Sequence, residues 1–377
     1  MAEAIVCGAG AAGLASAACL KRAGIPVVVL ERGDAVGTSW RRRYDGLRLN
    51  TLGWMSTMPG YRASRKRYGE YPARDDWVRY LEDYASHHGI QPEFGTDVRR
   101  VESAGGGWRV ESSGGSREAR FAVMATGFDH DPYLPEWPGS DGFQGRLMHA
   151  AEYRNPEPFL GLDVLVVGPG NTGSEIAAFL ADDGAARVRA SMRTPPNIFQ
   201  RKWLGRPMNM SAVALDIAPP RVADAMGRFT QRMIFGDLSK HGLPFPPLGV
   251  RRSVDERRIA PAVDAGFVQA VKDRRIELLP VIDHFEAADV VLTDGARIQP
   301  DVVICATGYR RGLDGVVGHL GVLDEHGLPR GWPTVEVPEA PGLFFVGYRS
   351  KVSGQLRQAR FEARRVARVA KRRSSHR

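Results

Sequence analysis

Three cysteines, Cys7, Cys19 and Cys305, stand in a chain of 377 residues, and no two of them form a C-x-x-C pair. Each lies in an apolar context, the setting of a small buried hydrophobe in a reducing compartment. A dithiol–disulfide reductase needs a redox-active pair, so that class is disfavoured. No run approaches the ~18 apolar residues of a membrane span. No charged region or cleavage site precedes the first apolar run, Ala4–Cys7, so a secretory leader is not expected and a cytoplasmic protein is. Low-complexity segments are lacking too, because the 43 glycines and 25 prolines are spread along the chain. The formal charge is +9, yet the dense basic run is confined to Arg357–Arg377 and no nucleic-acid recognition motif accompanies it. Neither a nucleic-acid partner, nor a membrane partner, nor a metal is expected.

What the chain does have is glycine in two patterned places. Gly8-Ala9-Gly10-Ala11-Ala12-Gly13 and Gly168-Pro169-Gly170-Asn171-Thr172-Gly173 share the spacing G-x-G-x-x-G. Each follows a short apolar run, Ala4–Cys7 or Val164–Val167, and precedes a helix-forming stretch, Leu14–Leu20 or Ser174–Leu180. A second apolar run closes each unit, Val27–Leu30 and Val188–Met192, so both read as βαβ. In such a loop the first glycine permits the tight turn and the second lets the backbone approach a pyrophosphate. The third allows close helix–strand packing, and the helix then points free N–H groups at the phosphates. Each half of the chain also leads to a strand that ends in Ala-Thr-Gly, at Ala125-Thr126-Gly127 and Ala306-Thr307-Gly308.

The ends of the two units differ. Glu31 stands 23 residues after Gly8, near the ~20 expected of an acid that accepts from ribose hydroxyls. Its charge would repel a 2′-phosphate, so the first site reads as one for FAD or NAD. The second unit ends in Ser191-Met192-Arg193 without an acid, and Arg193 lies 25 residues after Gly168. A guanidinium there suits a 2′-phosphate, which favours NADPH over NADH. Asn171 and Thr172 stand where the second helix starts, the place of residues that cap it or touch the cofactor. Two nucleotides brought together mean electron transfer between them, and their phosphates account for part of the basic charge.

The remaining chain frames these units. Pro72–His88 reads as a helix with Trp77, Tyr80, Leu81 and Tyr84 on one face. Val98–Ser112 and Arg117–Met124 read as strands with glycine turns between them. The pattern loosens from Pro195 to about Pro261, with one helix expected over Arg221–Phe235; this is read as an insertion that covers something. Leu343–Val346 and Gln355–Lys371 are the last strand and helix. They follow a second unit already closed at Gly308 and are expected to return to the first. The stripe Leu356, Ala359, Ala363, Val366 and Ala370 reads as core. The expected class is α/β, with two dinucleotide-binding, Rossmann-like domains and the NADPH domain inserted into the FAD domain. The boundaries expected are 1–155 for the first part of the FAD domain, 156–308 for the NADPH domain with a helical insertion at about 195–261, and 309–377 for the C-terminal part of the FAD domain.

Between the two loops, Phe143, Gly145, His149 and Tyr153 match F-x-G-x-x-x-H-x-x-x-[YF] at every position. With this motif the chain resembles the class B flavin-containing monooxygenases. Glu31-Arg32-Gly33-Asp34, Ser39-Trp40, Arg43-Tyr44-Asp45, Leu47-Arg48-Leu49, Glu70-Tyr71-Pro72, Trp108-Arg109-Val110 and Ala306-Thr307-Gly308-Tyr309 look like the YUCCA-like and bacterial flavin monooxygenase branch. The match covers nearly the whole chain and is weakest over 195–261. Related Baeyer–Villiger enzymes carry Trp-Pro or Trp-Asp at the end of the fingerprint, where Tyr153-Arg154 stands here. Taken alone, His149 reads as a hydrogen-bonded structural histidine rather than a proton-transfer group.

The resemblance implies an NADPH-dependent flavin monooxygenase, in which a flavin hydroperoxide formed from molecular oxygen transfers one oxygen atom to a small organic substrate. That substrate would be a 2-oxo acid of the indole-3-pyruvate type, or a nitrogen or sulfur centre, with secondary metabolism one setting. Such chemistry needs a dry, enclosed site. Loops and resemblance together assign FAD contacts to Gly8, Gly10, Ala11, Ala12, Gly13, Glu31, Arg32, Thr38, Ser39, Trp40, Asn50, Thr51, Val98, Thr126, Gly127 and Gln355. They assign NADPH contacts to Gly168, Gly170, Asn171, Thr172, Gly173, Arg193, Thr307 and Gly308. Asn50 is the catalytic candidate, an amide near the reactive edge of the flavin, and its other reading is a turn-capping amide. Trp40 packs beside the ring system or serves as core. The animal members' C-terminal membrane segment has no match, a soluble enzyme is expected, and a homodimer is compatible with this reading. The alternatives are an FAD-dependent oxidase or dehydrogenase with a degenerate nicotinamide site, and a non-enzymatic nucleotide-binding redox sensor.

Overall fold

The structure, a computed structural model, describes residues 3–331 and 335–375. The elements used below are β1 (Ala4–Cys7), α1 (Ala11–Arg22), β2 (Val27–Leu30), α2 (Arg74–His87), β3 (Phe121–Met124), β4 (Arg146–His149), β5 (Asp163–Val167), α3 (Asn171–Asp182), β6 (Arg187–Ser191), α4 (Asn209–Ile217), α5 (Pro220–Phe235), α6 (Val250–Arg257), β7 (Ile276–Leu279), β8 (Val302–Cys305), β9 (Leu343–Phe345) and α7 (Gln355–Ser374). They build two parallel sheets. One has the order β2-β1-β3-β9 and the other β7-β6-β5-β8-β4.

Parallel strands carry helices or other layers on both faces, so their residues are apolar without a break. In β1 all four residues are buried, as they are in β3 and β8. The faces are separated by the two-residue period of a strand. Ala4 and Val6 join the core made with α1, α2 and α7, whereas Ile5 and Cys7 join the core beneath Val101, Trp108 and Leu323. The second sheet repeats the division: Val164, Val166 and Ile304 face α3, and Leu165, Val303 and Cys305 face Phe285 and Val290.

The last strand and helix join the first sheet. β9 pairs in parallel with β3, with Leu343 opposite Ala122. α7 lies against α1, where Ala359, Ala363, Val366 and Ala370 are buried and Leu356 is packed at the edge. Small side chains on both helices permit that close approach. On α2 the expected face is buried, and the Trp77 and Tyr80 rings stack at 4.8 Å.

Two expectations need correction. The run Arg117–Met124 is not one strand. Gly115–Ala119 belongs to an antiparallel meander with 98–104 and 107–112, and β3 starts after the break at Arg120. The alternating, exposed half and the continuous apolar half belong to different layers. The segment 195–261 holds three helices, α4, α5 and α6, rather than one. α4 is short and α6 is mostly charged, so neither shows a helical apolar stripe long enough to read.

Candidate active site

The two glycine loops have the same packing logic. Gly8 has φ 111° and a Cβ there would lie 2.5 Å from Ala125 O; Gly168 has φ 83° and the equivalent distance to Ala306 O is 2.9 Å. The Ala-Thr-Gly strand ends therefore press against the turns. A Cβ on Gly13 would overlap the Gly8 carbonyl, and one on Gly173 would lie 2.5 Å from Gly168 O. By contrast, Gly10 and Gly170 face open space within 4 Å, as do Gly127 and Gly308. Gly10 and Gly170 are the N-caps of α1 and α3, and neither supplies a side-chain cap. Ala11 and Ala12 open α1 without polar side chains. Each loop is thus a cradle of backbone N–H groups over a space that a side chain at Gly10 or Gly170 would fill, which fits a pyrophosphate.

Beyond the first loop, Glu31 is 9% exposed. Its carboxylate accepts from Ala9 N at 2.6 Å and from Gly33 N at 2.8 Å. Each oxygen keeps a second acceptor position for a ribose hydroxyl. Thr96 N donates to Glu31 O, which brings Val98, two residues on, to the same edge. Arg32 and Ser39 are exposed, and Thr38 donates through Oγ1 to Ala35 O at 2.7 Å. The second unit ends differently. Ser191 is buried and donates to Pro280 O at 2.6 Å, and Arg193 is exposed just after β6.

Between the sheets lies a cavity of about 330 Å³. It brings together Trp40, Asn50, Thr51, Asn171, Thr172 and Gln355 from the residues singled out in the sequence. Met208, Asn209, Ala212 and Leu215 of the insertion also line it, so the segment 195–261 does cover something. Gln355 opens α7 and donates to Gly347 O at 2.5 Å.

A polar network on the cavity wall was not anticipated. Asn50 Nδ2 donates to Asn171 Oδ1 at 2.9 Å, and Arg201 Nη2 donates to Asn50 Oδ1 at 3.1 Å. Arg201 Nη2 also reaches Glu175 Oε1 at 3.3 Å, and Tyr44 OH donates to Glu175 Oε2 at 2.6 Å. Asn209 Nδ2 donates to Asn50 O, and Tyr71 OH donates to Arg201 O. Burial pushes the Glu175 carboxyl up, against the opposing pull of Tyr44 and Arg201. Glu175 had a signal, because it stands four residues after Asn171 and shares its helix face. Tyr44 and Tyr71 stood only within segments that carry the family resemblance, and Arg201 and Asn209 had no local signal.

Several expected roles are corrected. Neither Asn171 nor Thr172 caps α3; the N-cap is Gly170, and the Asn171 side chain turns into the network. Asn50 likewise caps no turn. The middle residue of each Ala-Thr-Gly end also makes hydrogen bonds within the protein. Thr126 N and Oγ1 meet Tyr348 OH at 3.0 and 2.7 Å, and Thr307 donates to Tyr133 O.

The fingerprint itself is structural. His149 is 2% exposed; its Nε2 meets Gly308 O at 3.0 Å, and its Nδ1 accepts from Ala151 N at 3.0 Å. Both ring nitrogens are used, and burial holds the pKa below its ordinary value. Phe143 packs edge-on to Phe285, and a Cβ on Gly145 would collide with the Phe143 ring. Tyr153 packs between Tyr44 and Phe159. All three cysteines are buried, with the Cys7 and Cys305 thiols pushed up to about 12 and Cys19 to about 11. Such thiols are not nucleophiles. Among the described residues there is no group of three metal-ligating side chains, and no helix is long and apolar enough to cross a membrane.

Comparison with known proteins follows this geometry. Residues 5–203 match the family model described as pyridine nucleotide-disulphide oxidoreductase. The chain is 32% identical over 357 residues to the indole-3-pyruvate monooxygenase YUCCA1 of Oryza sativa subsp. japonica, covering 92% of this chain and 87% of that protein. Among solved structures, the flavin-containing monooxygenase from Stenotrophomonas maltophilia superposes with a TM-score of 0.72 at 24% identity, over 97% of this chain and 98% of that one. OTEMO in complex with FAD and NADP superposes with a TM-score of 0.74 at 17% identity, over 99% of this chain and 86% of that one. The disulphide chemistry in the family model's description has no counterpart here, since no cysteine pair exists to perform it. Fingerprint, paired loops and full-length similarity converge: the chain belongs to the class B flavin-containing monooxygenases, in their YUCCA-like branch.

Proposed function

We propose that the first loop holds FAD, that the second holds NADPH, and that the cavity between them is where one atom of molecular oxygen reaches a small organic substrate. The observation that carries this reading is the cavity itself, lined at once by Trp40, Asn50 and Thr51 from the connector after the first unit, by α3, by the insertion and by the start of α7. In domain terms, 1–155 and 309–377 form the FAD domain, and 156–308 forms the NADPH domain inserted into it. β9 and α7 support that division, because they pack on β3 and α1.

The chain's own residues have defined tasks. Gly10 and Gly170 leave room for pyrophosphates, with the amides at the starts of α1 and α3 as donors. Glu31 orients a ribose, and Arg193 takes the 2′-phosphate of NADPH. Bound FAD, reduced by NADPH, supplies the oxygen activation. Asn50 presents its amide to the cavity, where it holds a hydrogen bond at the reacting edge. Met208, Ala212 and Leu215 keep that space apolar and limit water entry.

Among the two substrate classes, one observation favours the 2-oxo acid. The charged residues lining the cavity are Arg43, Arg48, Asp129, Glu175 and Lys351. Arg43 is committed to Asp129 and Tyr309, and Glu175 to Tyr44 and Arg201. Arg48 is exposed at the cavity, and its guanidinium makes no hydrogen bond or ion pair with described residues. It is placed to take a substrate carboxylate.

Two measurements test the reading. NADPH added to the purified protein without oxygen is expected to bleach the absorbance near ~450 nm that a flavin cofactor supplies. Reduced protein mixed with oxygen and NADP is expected to show a transient absorbing at shorter wavelength than the oxidised form. No bleaching by NADPH, with bleaching by substrate alone, would instead support the oxidase or dehydrogenase alternative.

A further inference from the structure

We infer that Asn171 is a positioning residue: it holds the Asn50 amide in one orientation, and so ties the nicotinamide-nucleotide loop to the group that faces the cavity. The inference rests on the proposed role of Asn50.

The bonding pattern leaves one arrangement of the two amides. Val263 N can only donate, and it donates to Asn171 Oδ1 at 2.9 Å. Pro261 O can only accept, and it accepts from Asn171 Nδ2 at 2.9 Å. The Asn171 oxygen therefore faces Val263, and the same oxygen accepts from Asn50 Nδ2. At the other end Arg201 can only donate, so Asn50 Oδ1 must face it. Obligate donors and acceptors at both ends thus select the orientation of Asn50. Turning that amide over would set its oxygen against Asn171 Oδ1 and its N–H groups against Arg201. One N–H of Asn50 Nδ2 has no hydrogen-bond partner among the described residues.

Asn171 has little capacity left for a second task. Both acceptor positions of Oδ1 and one N–H of Nδ2 are engaged within the protein. It is the first residue of α3 and starts immediately after the loop that leaves space for a nucleotide. It also binds both sides of Ala262 at the end of the insertion. One side chain therefore connects the second loop, the cover of the cavity and Asn50.

The test compares Asn50→Ala, Asn171→Leu, Asn171→Asp and the double variant Asn50→Ala/Asn171→Leu in the FAD-loaded protein. The readouts are the rate of peroxide release per enzyme with NADPH and oxygen but no substrate, and the NADP dissociation constant by titration of the flavin spectrum. Asn171→Leu is expected to release peroxide roughly 2- to 10-fold faster, the range of one neutral hydrogen bond. Its NADP affinity is expected to change less than about twofold. Asn171→Asp keeps the acceptor for Asn50 and Val263 N but loses the donor to Pro261 O, and it is expected to fall between the parent and Asn171→Leu in peroxide release; it also serves if the leucine variant does not fold. The double variant should match Asn50→Ala alone, because the two residues act as one unit. Additive effects, or a large loss of NADP affinity with normal peroxide release, would overturn the inference. If Asn50→Ala releases excess peroxide while Asn171→Leu does not, the inference fails and the role of Asn50 stands. If neither does, the role of Asn50 fails as well.

Discussion

At Gly10 and Gly170 the two loops leave the same open space, yet their units end in opposite chemistry. The first ends in Glu31, a buried carboxylate held by two backbone amides. The second ends in Arg193, an exposed guanidinium after a buried serine. The phosphate ends are alike because a pyrophosphate asks for the same thing of any βαβ turn: close backbone approach and free N–H groups. On the proposed assignment, the ribose ends differ because one anchors a cofactor built into the fold and the other reads a cofactor that exchanges. Glu31 is part of the packing, whereas Arg193 makes its proposed contact when NADPH arrives.

That comparison can be broken in order of effect. Gly13→Ala and Gly173→Ala place a methyl against a loop carbonyl, and the first is expected to cost about 3 kcal/mol or more, read as lost soluble protein or a lowered melting temperature. Gly10→Ala meets no protein atom and has φ −78° at a position that alanine tolerates. It should therefore melt near the parent temperature yet purify without flavin absorbance; a full complement of FAD would remove the pyrophosphate assignment. Gly170→Ala should spare FAD and weaken NADPH. Glu31→Gln leaves one of two backbone N–H groups without a carboxylate oxygen, a loss of about 1–3 kcal/mol visible in chemical denaturation, together with faster FAD release. Arg193→Ala should leave stability within about 0.5 kcal/mol, as a surface change does. Its KM for NADPH should rise about 10- to 100-fold and its KM for NADH should not; equal effects on both would show that Arg193 does not read the 2′-phosphate.

The smallest effect concerns His149 at the junction. Its folded pKa lies below the ordinary 6.5, so the folded state takes up a proton less readily than the unfolded chain. The stability it contributes is present above pH 6.5 and is lost as pH falls through the window below it. The difference in melting temperature between the parent and His149→Gln should therefore shrink from pH 7 to pH 5. A constant difference would contradict neutral burial of the ring.

The phosphate loops were legible because their physics is local: a turn, a helix start and a strand lie within about thirty residues. His149 was legible as structural but not in detail, since its partner Gly308 lies 159 positions away. Asn50 was singled out through resemblance, and Glu175 was not, although its helical spacing from Asn171 places the two on one face. Arg201, which fixes the other end of the Asn50 amide, lies 151 positions from it in a segment without clear periodicity. No spacing rule reaches such a contact. The capping role of Asn171 was a reasonable local expectation that a tertiary hydrogen bond overrode.

By itself, then, the sequence determined the two βαβ units, the absence of a C-x-x-C pair for disulfide chemistry, and the contrast between an acid at the end of one unit and an arginine at the end of the other. These follow from period, composition and spacing over short stretches of chain. The tertiary structure decided that the start of α3 and the connector after the first unit line one cavity, that the insertion covers it, and that Asn50 and Asn171 meet there. Those facts depend on which segments fold against one another, and the directional valence of each amide was settled only by the donors and acceptors that long-range packing brought to it.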